Sequence, residues 1–126
     1  MKCNPERKCG TSNIFRCPLD VEKTIAVIEK ELKNRKISIM SRIDHARNAQ
    51  EVNLELRPAQ VLLFGIPAVG TALMRENPAM AFELPLRIAV WEDDKGAVFM
   101  GMPDIDALAG AYGLEGGPAV AQVLEL

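Results

Sequence analysis

The chain has 126 residues, a formal net charge of -2 and a hydrophobic fraction of 48%, which are typical of one globular domain and exclude a disordered or fibrous chain. The cations are scattered, which argues against nucleic acid as the main partner and against a polybasic membrane anchor. No stretch is apolar for long enough to form a signal peptide or a membrane span, so we expect a cytoplasmic protein.

The three cysteines, Cys3, Cys9 and Cys17, all lie near the start of the chain. An odd number of cysteines without an export signal does not predict a disulfide framework, and their spacing matches no zinc or haem pattern. We therefore expect residues 1–12 to be a flexible tail with two thiols and residues 13–126 to form a single domain. No metal site and no cofactor are predicted, although a thiol or metal function of the tail remains an alternative.

The first predicted elements are an edge strand over residues 13–17 and a helix near 20–35. Asp20 stands where an N-cap residue accepts the free amide hydrogens of the first helical turn. One helical face is formed by Val21, Ile25, Ile28 and Leu32, which follow each other at spacings of three and four. Polar and apolar residues then alternate over residues 36–43, which predicts a half-buried strand.

The central part of the chain is predicted to alternate between short strands and short helices. Asp44 ends the preceding strand and caps a short turn of helix that runs through Gln50. Residues 61–64 form a short apolar strand that ends at Gly65, and a helix follows over residues 68–76. The segment 66–85 is rich in Pro and Gly and yet apolar, so we expect it to pack on the sheet or on a second subunit.

Residues 86–92 and 97–102 form the two strands of a predicted hairpin, joined by a turn that contains Gly96. A last helix begins after Asp104, and residues 120–124 show the spacing of a short docking helix. The predicted order is β-α-β-β-α-β-β-α. Because two of the connections are hairpin-like or short, the expected fold is α+β, a two-layer sandwich of a mainly antiparallel sheet with helices on one face.

Several short motifs occur in one register over residues 19–114. They are Arg42-Ile43-Asp44-His45-Ala46, Leu54-Glu55-Leu56-Arg57-Pro58, Phe64-Gly65 with Pro67 and Gly70-Thr71, Leu84-Pro85-Leu86, and Val90-Trp91-Glu92-Asp93 with Gly96. Together they make the chain resemble the family known as domain of unknown function 302. The resemblance implies a compact α+β domain with an antiparallel sheet and a homodimer, and it implies no activity. This chain has Ile66-Pro67 where the family usually has Asn-Pro, so any role of that Asn is in doubt here.

His45 and Arg57 are the polar candidates for a functional site. The ordinary pKa of a histidine, about 6.5, suits acid–base work near neutral pH, so His45 is the candidate catalytic residue. The forked guanidinium of Arg57 suits a carboxylate or a phosphate. Neighbouring strand residues point to opposite faces, so Asp44 is not expected to orient His45.

Gly65, Pro67 and Gly70 lie between a strand and a helix, where free amide hydrogens can hold an anion. The segment lacks the residues of a P-loop and of a dinucleotide turn, so a structural turn is the alternative. The sequence favours a non-catalytic dimeric domain that binds a small acidic or apolar ligand, with Arg57, His45, Gly65, Pro67 and Gly70 as ligand-binding residues. An enzyme that uses His45 as acid or base and Arg57 as anion anchor is the second hypothesis.

Overall fold

A computed structural model of the chain describes residues 7–9 and 12–114. Most of the described strands have six or seven residues, and β1 has three. The elements are β1 (Arg7–Cys9), β2 (Ser12–Cys17), α1 (Val21–Asn34), β3 (Ser38–Asp44), α2 (His45–Glu51), β4 (Ala59–Gly65), α3 (Pro67–Glu76), a 3₁₀ helix (Pro78–Phe82), β5 (Leu86–Glu92), β6 (Val98–Pro103) and α4 (Ile105–Ala111).

The strands form one antiparallel sheet in the order β1-β2-β6-β5-β4-β3. The predicted α+β fold with a mainly antiparallel sheet is therefore confirmed. The prediction that residues 13–17 form an edge strand is wrong, because β2 lies between β1 and β6. The edge is β1, whose residues belong to the stretch that was expected to be a tail and pair with residues 12–14 of β2.

Helix α1 begins and ends where its sequence predicts. The carboxylate of Asp20 accepts the amide hydrogen of Lys23 at 2.8 Å, which satisfies one of the free donors of the first turn. After the helix, Lys36 adopts a left-handed backbone conformation with φ of 58°, and the amide of Ile37 bonds back to the carbonyl of Leu32. This bond closes the helix and turns the chain into β3.

The hydrophobic core lies between one face of the sheet and the helices α1, α3 and α4. Residues directly opposite each other in antiparallel strands share a face, so the pairs Leu62–Ile88 and Val90–Met100 point to the same side. These side chains are buried in one cluster with Ile25 of α1, Leu73 of α3, Met80 of the 3₁₀ helix and Leu108 of α4. The predicted layer of helices on one face is confirmed.

Strand β3 contains an irregularity that changes which side chains face the helices. The pairing with β4 shifts between Ile39 and Ser41, so that Met40 is an extra residue, as in a β-bulge. Beyond the bulge, Arg42 is opposite Leu62 and therefore points toward α1. There its guanidinium lies 2.8 Å from the carboxylate of Glu29 and donates to the side-chain oxygen of Gln60 at 3.0 Å.

The predicted helix at residues 120–124 lies outside the described residues, as does most of the predicted N-terminal tail. Within the described ranges, no helix combines the length and the hydropathy that crossing a bilayer requires.

Candidate functional site

An apolar cavity of about 320 Å³ opens between the end of β4 and helix α3. Five parts of the chain form its walls: the bulge of β3, the end of β4, helix α3, the 3₁₀ helix and the connection into β5. The lining residues are Met40, Phe64, Gly65, Ile66, Pro67, Val69, Gly70, Thr71, Leu73, Met74, Ala81, Leu84, Pro85 and Leu86. Thr71 has the single polar side chain in this lining, so the cavity offers an apolar molecule a matching surface.

The sequence around the β4–α3 junction explains why a cavity forms there. Pro67 occupies the first turn of α3, where its fixed φ and missing amide hydrogen are tolerated. Gly70 faces the connection to β5, and a Cβ atom placed on it would lie 3.6 Å from a methyl carbon of Leu84. This distance is an ordinary van der Waals contact, so Gly70 and Leu84 lie side by side in the wall of the cavity.

The 3₁₀ helix, which forms the outer wall of the cavity, is connected to the C-terminal end of α4 by two hydrogen bonds. The side chain of Asn77 donates to the carbonyl oxygen of Tyr112 at 2.8 Å, and its own oxygen accepts the amide hydrogen of Ala79. The hydroxyl of Tyr112 donates to the carboxylate of Glu83 at 2.8 Å, and this bond raises the pKa of Tyr112. The 3₁₀ helix is therefore held in place from both of its ends.

A second, larger cleft of about 550 Å³ lies at the opposite end of the sheet. It is lined by the end of β2, the start of α1, Pro58, Glu92 and the β5–β6 turn. The carboxylate of Glu92 lies 3.5 Å from the guanidinium of Arg57, which is a loose and partly exposed ion pair. Burial raises the pKa of the Cys17 thiol in this cleft, so the thiol is not activated as a nucleophile.

The five residues predicted to bind a ligand lie at two separate places. Gly65, Pro67 and Gly70 line the apolar cavity. Arg57 and His45 lie at the other end of β4, because Asp44 pairs with Gln60 near the beginning of that strand. A strand of seven residues spans roughly 20 Å, so these two side chains are too far away to contact a molecule in the cavity.

His45 is exposed at the first position of α2 and makes no hydrogen bond or ion pair within the described part of the chain. The neighbouring carboxylate of Asp44 caps α2 instead, accepting the amide hydrogen of Arg47 at 3.0 Å. Asp44 therefore does not orient His45, which agrees with the expectation from the sequence. No group of three or more metal-binding side chains occurs among the described residues.

Sequence reasoning missed several walls of the cavity. Met40 comes from β3, whereas Ala81 and Leu84 come from the connection to β5. The signal for Ala81 and Leu84 was the unusual apolar character of residues 66–85, which predicted packing on the sheet or on a second subunit. Met40 lies outside that segment. The buried side chains of Leu73 and Met80 show that this segment packs on the sheet.

A family model described as "Domain of unknown function DUF302" matches residues 14–125. The chain belongs to the DUF302 family. An uncharacterised conserved DUF302 protein from Bacillus stearothermophilus has a similar crystal structure, with a TM-score of 0.73 and 21% sequence identity over 91% of this chain and 88% of that chain. At this identity the likeness shows the fold alone.

The curated relatives that match this DUF302 chain are considerably longer proteins. The chain is 33% identical over 94 residues to proteins named fluoride-specific ion channel FluC 1 from Brucella suis and Brucella abortus. The matched segment is 75% of this chain, but 37% of the first relative and 35% of the second. The similarity therefore concerns a part of those proteins.

Proposed function

We propose that this DUF302 chain is a non-catalytic binding domain that holds a small apolar molecule in the cavity between β4 and α3 and acts as a homodimer. The observation that carries the proposal is the lining, in which Thr71 provides the single polar side chain. A volume of about 320 Å³ lies at the lower end of the range for small-molecule sites, roughly 300–1,000 Å³. The ligand is therefore small.

The charge of the lining favours a neutral ligand over an acidic one. No Lys, Arg or His is among the residues that form the cavity, and a buried carboxylate without a partner is strongly disfavoured. Apolar area removed from water contributes about 25 cal/mol per Å², which supplies the binding free energy without any charged contact. Thr71 is the one lining side chain that can orient a polar end of the ligand.

The lining also supports binding rather than catalysis. Acid–base or nucleophilic chemistry requires a titratable side chain within hydrogen-bond distance of the reacting atom. The cavity contains none, and the candidate base His45 lies at the other end of β4. The two methionines, Met40 and Met74, give the wall flexible side chains that adapt to ligands of different shape.

The first experiment is native mass spectrometry of the gently purified chain, compared with its denatured mass. A removable additional mass of a small apolar compound supports the proposal and identifies the ligand class. If only the chain mass is found, titration with the neutral fluorescent probe N-phenylnaphthylamine tests whether the cavity can bind at all.

The decisive control is a matched pair of substitutions in the 3₁₀ helix. Ala81 and Ala79 are both exposed alanines in this helix, but only Ala81 lines the cavity. We expect Ala81→Phe to weaken probe binding at least about tenfold, because the ring occupies the cavity. Ala79→Phe should bind the probe like the unmodified chain. Equal binding by both variants, or no binding by the unmodified chain, would contradict the proposal.

A further inference from the structure

The larger cleft, at the end of the sheet opposite the apolar cavity, has a lining of a different kind. Its apolar residues are Pro18, Leu19, Val21, Pro58 and Val98. The remaining lining residues are Gly96 and four that bring a thiol, a guanidinium and two carboxylates: Cys17, Arg16, Asp20 and Glu92. A volume of about 550 Å³ is ordinary for a small-molecule site. The cleft therefore suits a molecule that has both an aliphatic part and a charge.

A row of three residues on neighbouring strands forms the floor of this cleft. Cys17 of β2 is opposite Val98 of β6, and Val98 is opposite Glu92 of β5. Residues opposite each other in antiparallel strands share a face, and Val98 belongs to the core cluster. The Glu92 side chain therefore points to the helix side of the sheet, at the border between apolar wall and solvent, with 26% of its surface exposed.

The carboxylate of Glu92 has room for a further partner. It lies 3.5 Å from the guanidinium of Arg57, whereas a charge-assisted hydrogen bond is about 2.7–2.9 Å long. Within the described part of the chain it accepts no hydrogen bond, although an ionised carboxylate can accept about four. Gly96 leaves it accessible, because a Cβ atom at that position would already lie 3.6 Å from one of its oxygens.

The charges around the cleft disfavour an anion. The free amide hydrogens at the start of α1 face the carboxylate of Asp20, which accepts from Lys23 at 2.8 Å. Arg16 is the single cation among the described lining residues, and its guanidinium is placed over the ring of Phe99, 5.6 Å from the centroid. Two lining carboxylates thus outnumber one guanidinium, and a cation is the matching ligand.

The lining also narrows the class of cation. Quaternary ammonium groups are recognised by aromatic faces, and none of the described lining residues is aromatic. A divalent metal needs several oxygen, nitrogen or sulfur ligands, and the described residues contain no group of three metal-binding side chains. A primary ammonium group needs less, since its compact charge donates hydrogen bonds directly to a carboxylate.

We propose that this cleft is a second binding site, which holds a small primary amine with an aliphatic chain. The ammonium group donates to the carboxylate of Glu92, and the alkyl chain lies against Leu19 and Pro58. The site goes beyond the proposed function, because it is at the other end of the sheet and shares no residue with the apolar cavity. Arg57 and the amine compete for the same carboxylate.

This competition provides a matched pair of variants that remove the same ion pair. Glu92→Gln deletes the acceptor of the ammonium group and should weaken binding at least about tenfold, since a hydrogen bond to a charged group is lost. Arg57→Gln deletes the competitor and should strengthen binding by up to about fivefold, because an exposed ion pair contributes little. Asp94→Asn removes one negative charge from an exposed residue outside the lining and should change nothing.

Calorimetric titration of the full chain with n-hexylamine at neutral pH measures these affinities, with 1-hexanol and hexanoate as probes of equal chain length. Only the amine should bind in the cleft and shift the amide NMR signals of Gly96 and Val98. The same shifts should occur in Ala81→Phe, so binding in the apolar cavity is measured separately. Circular dichroism shows whether each variant is folded, and the three probes test the unmodified chain even if Glu92→Gln does not fold.

Three outcomes would overturn the proposal. Hexylamine could fail to bind at concentrations up to about 10 mM, which is weaker than a specific site provides. Hexanol could shift the same amide signals as the amine, so that the charge plays no part. Arg57→Gln could weaken binding as much as Glu92→Gln, which would mean that the ion pair only maintains the structure of the cleft.

Discussion

Leu62 and Leu63 are neighbours on β4 and lie in two different environments. Leu62 points toward the helices and is completely buried, with 0% of its surface exposed. Leu63 points to the opposite face of the sheet and is half-buried. Since the side-chain period of a strand is two residues, one strand supplies both the core and the outer face. The comparison teaches that apolar character alone does not separate residues of the core from residues outside it.

The largest expected difference between the two faces is in stability. Leu62→Ala should lower the free energy of unfolding by about 2–5 kcal/mol, because it removes buried contacts and leaves a cavity. Leu63→Ala should lower it by about 1 kcal/mol, measured at a protein concentration below that of dimerisation. Urea denaturation of both variants checks this difference. Equal losses would mean that the second face is covered as completely as the first.

A pair of glycine substitutions sharpens the comparison. Gly101→Ala should change the emission of Trp91, since the new methyl group would lie 3.1 Å from the indole and the ring must shift by a few tenths of an ångström. Gly70→Ala has room at 3.6 Å from Leu84 and lies within α3, where alanine is favoured by up to about 1 kcal/mol. Thermal unfolding followed by fluorescence distinguishes them. An unchanged Trp91 spectrum in Gly101→Ala would contradict this position of the ring over Gly101.

Two aspartates accept the same kind of capping hydrogen bond but lie in different parts of the fold. Asp20 caps α1, which packs on the core, whereas Asp44 caps α2, which contributes no buried residue. Asp20→Ala should lower the free energy of unfolding by about 1 kcal/mol. Asp44→Ala should instead increase hydrogen exchange within α2 and leave global stability nearly unchanged. Urea denaturation combined with amide hydrogen exchange checks both predictions. A loss of global stability in Asp44→Ala would show that α2 is coupled to the core.

The smallest expected effect depends on pH. The pKa of Asp93 is lowered mainly by the hydrogen bond from the amide of Ala97, with further contributions from Lys95 and Arg16. A lowered pKa in the folded chain stabilises it above the unfolded pKa of about 3.9, and this contribution is lost as pH falls through the folded value.

Asp93→Asn should therefore be less stable than the unmodified chain at neutral pH and equally stable in strong acid. Urea midpoints at several pH values measure this difference, with the exposed neighbour Asp94 changed to Asn as the control. A difference that does not change with pH would mean that the charge of Asp93 does not stabilise the fold.

Local signals in the sequence predicted most of the individual elements. The caps at Asp20 and Asp44 and the hairpin around Gly96 depend on side chains a few residues apart, and the structure contains all three. The prediction that β2 is an edge strand was wrong because it depended on residues 7–9, which have no apolar periodicity. Their pairing with β2 uses backbone groups that every sequence has.

The candidate site was less predictable because it is assembled from distant segments. Gly65, Pro67 and Gly70 were recognised from their turn chemistry, but Met40 joins them only through the strand register and the bulge. Arg57 and His45 were assigned to the same ligand site from the sequence, and yet they lie at the other end of β4. The contact between Gly101 and Trp91 likewise requires the pairing of β5 with β6, which no local pattern reveals.

The bulge at Met40 also determines how the chain can assemble. An exposed edge strand is a template onto which further strands can add without limit, and a bulge makes such an edge irregular and hard to extend. Strand β3 forms one edge of the sheet and contains the bulge, and the other edge, β1, has only three residues. Growth of fibrils from either edge is thereby discouraged, although the sheet is rich in apolar residues. Among the described residues, both edges of the sheet thus offer a poor template for further strands.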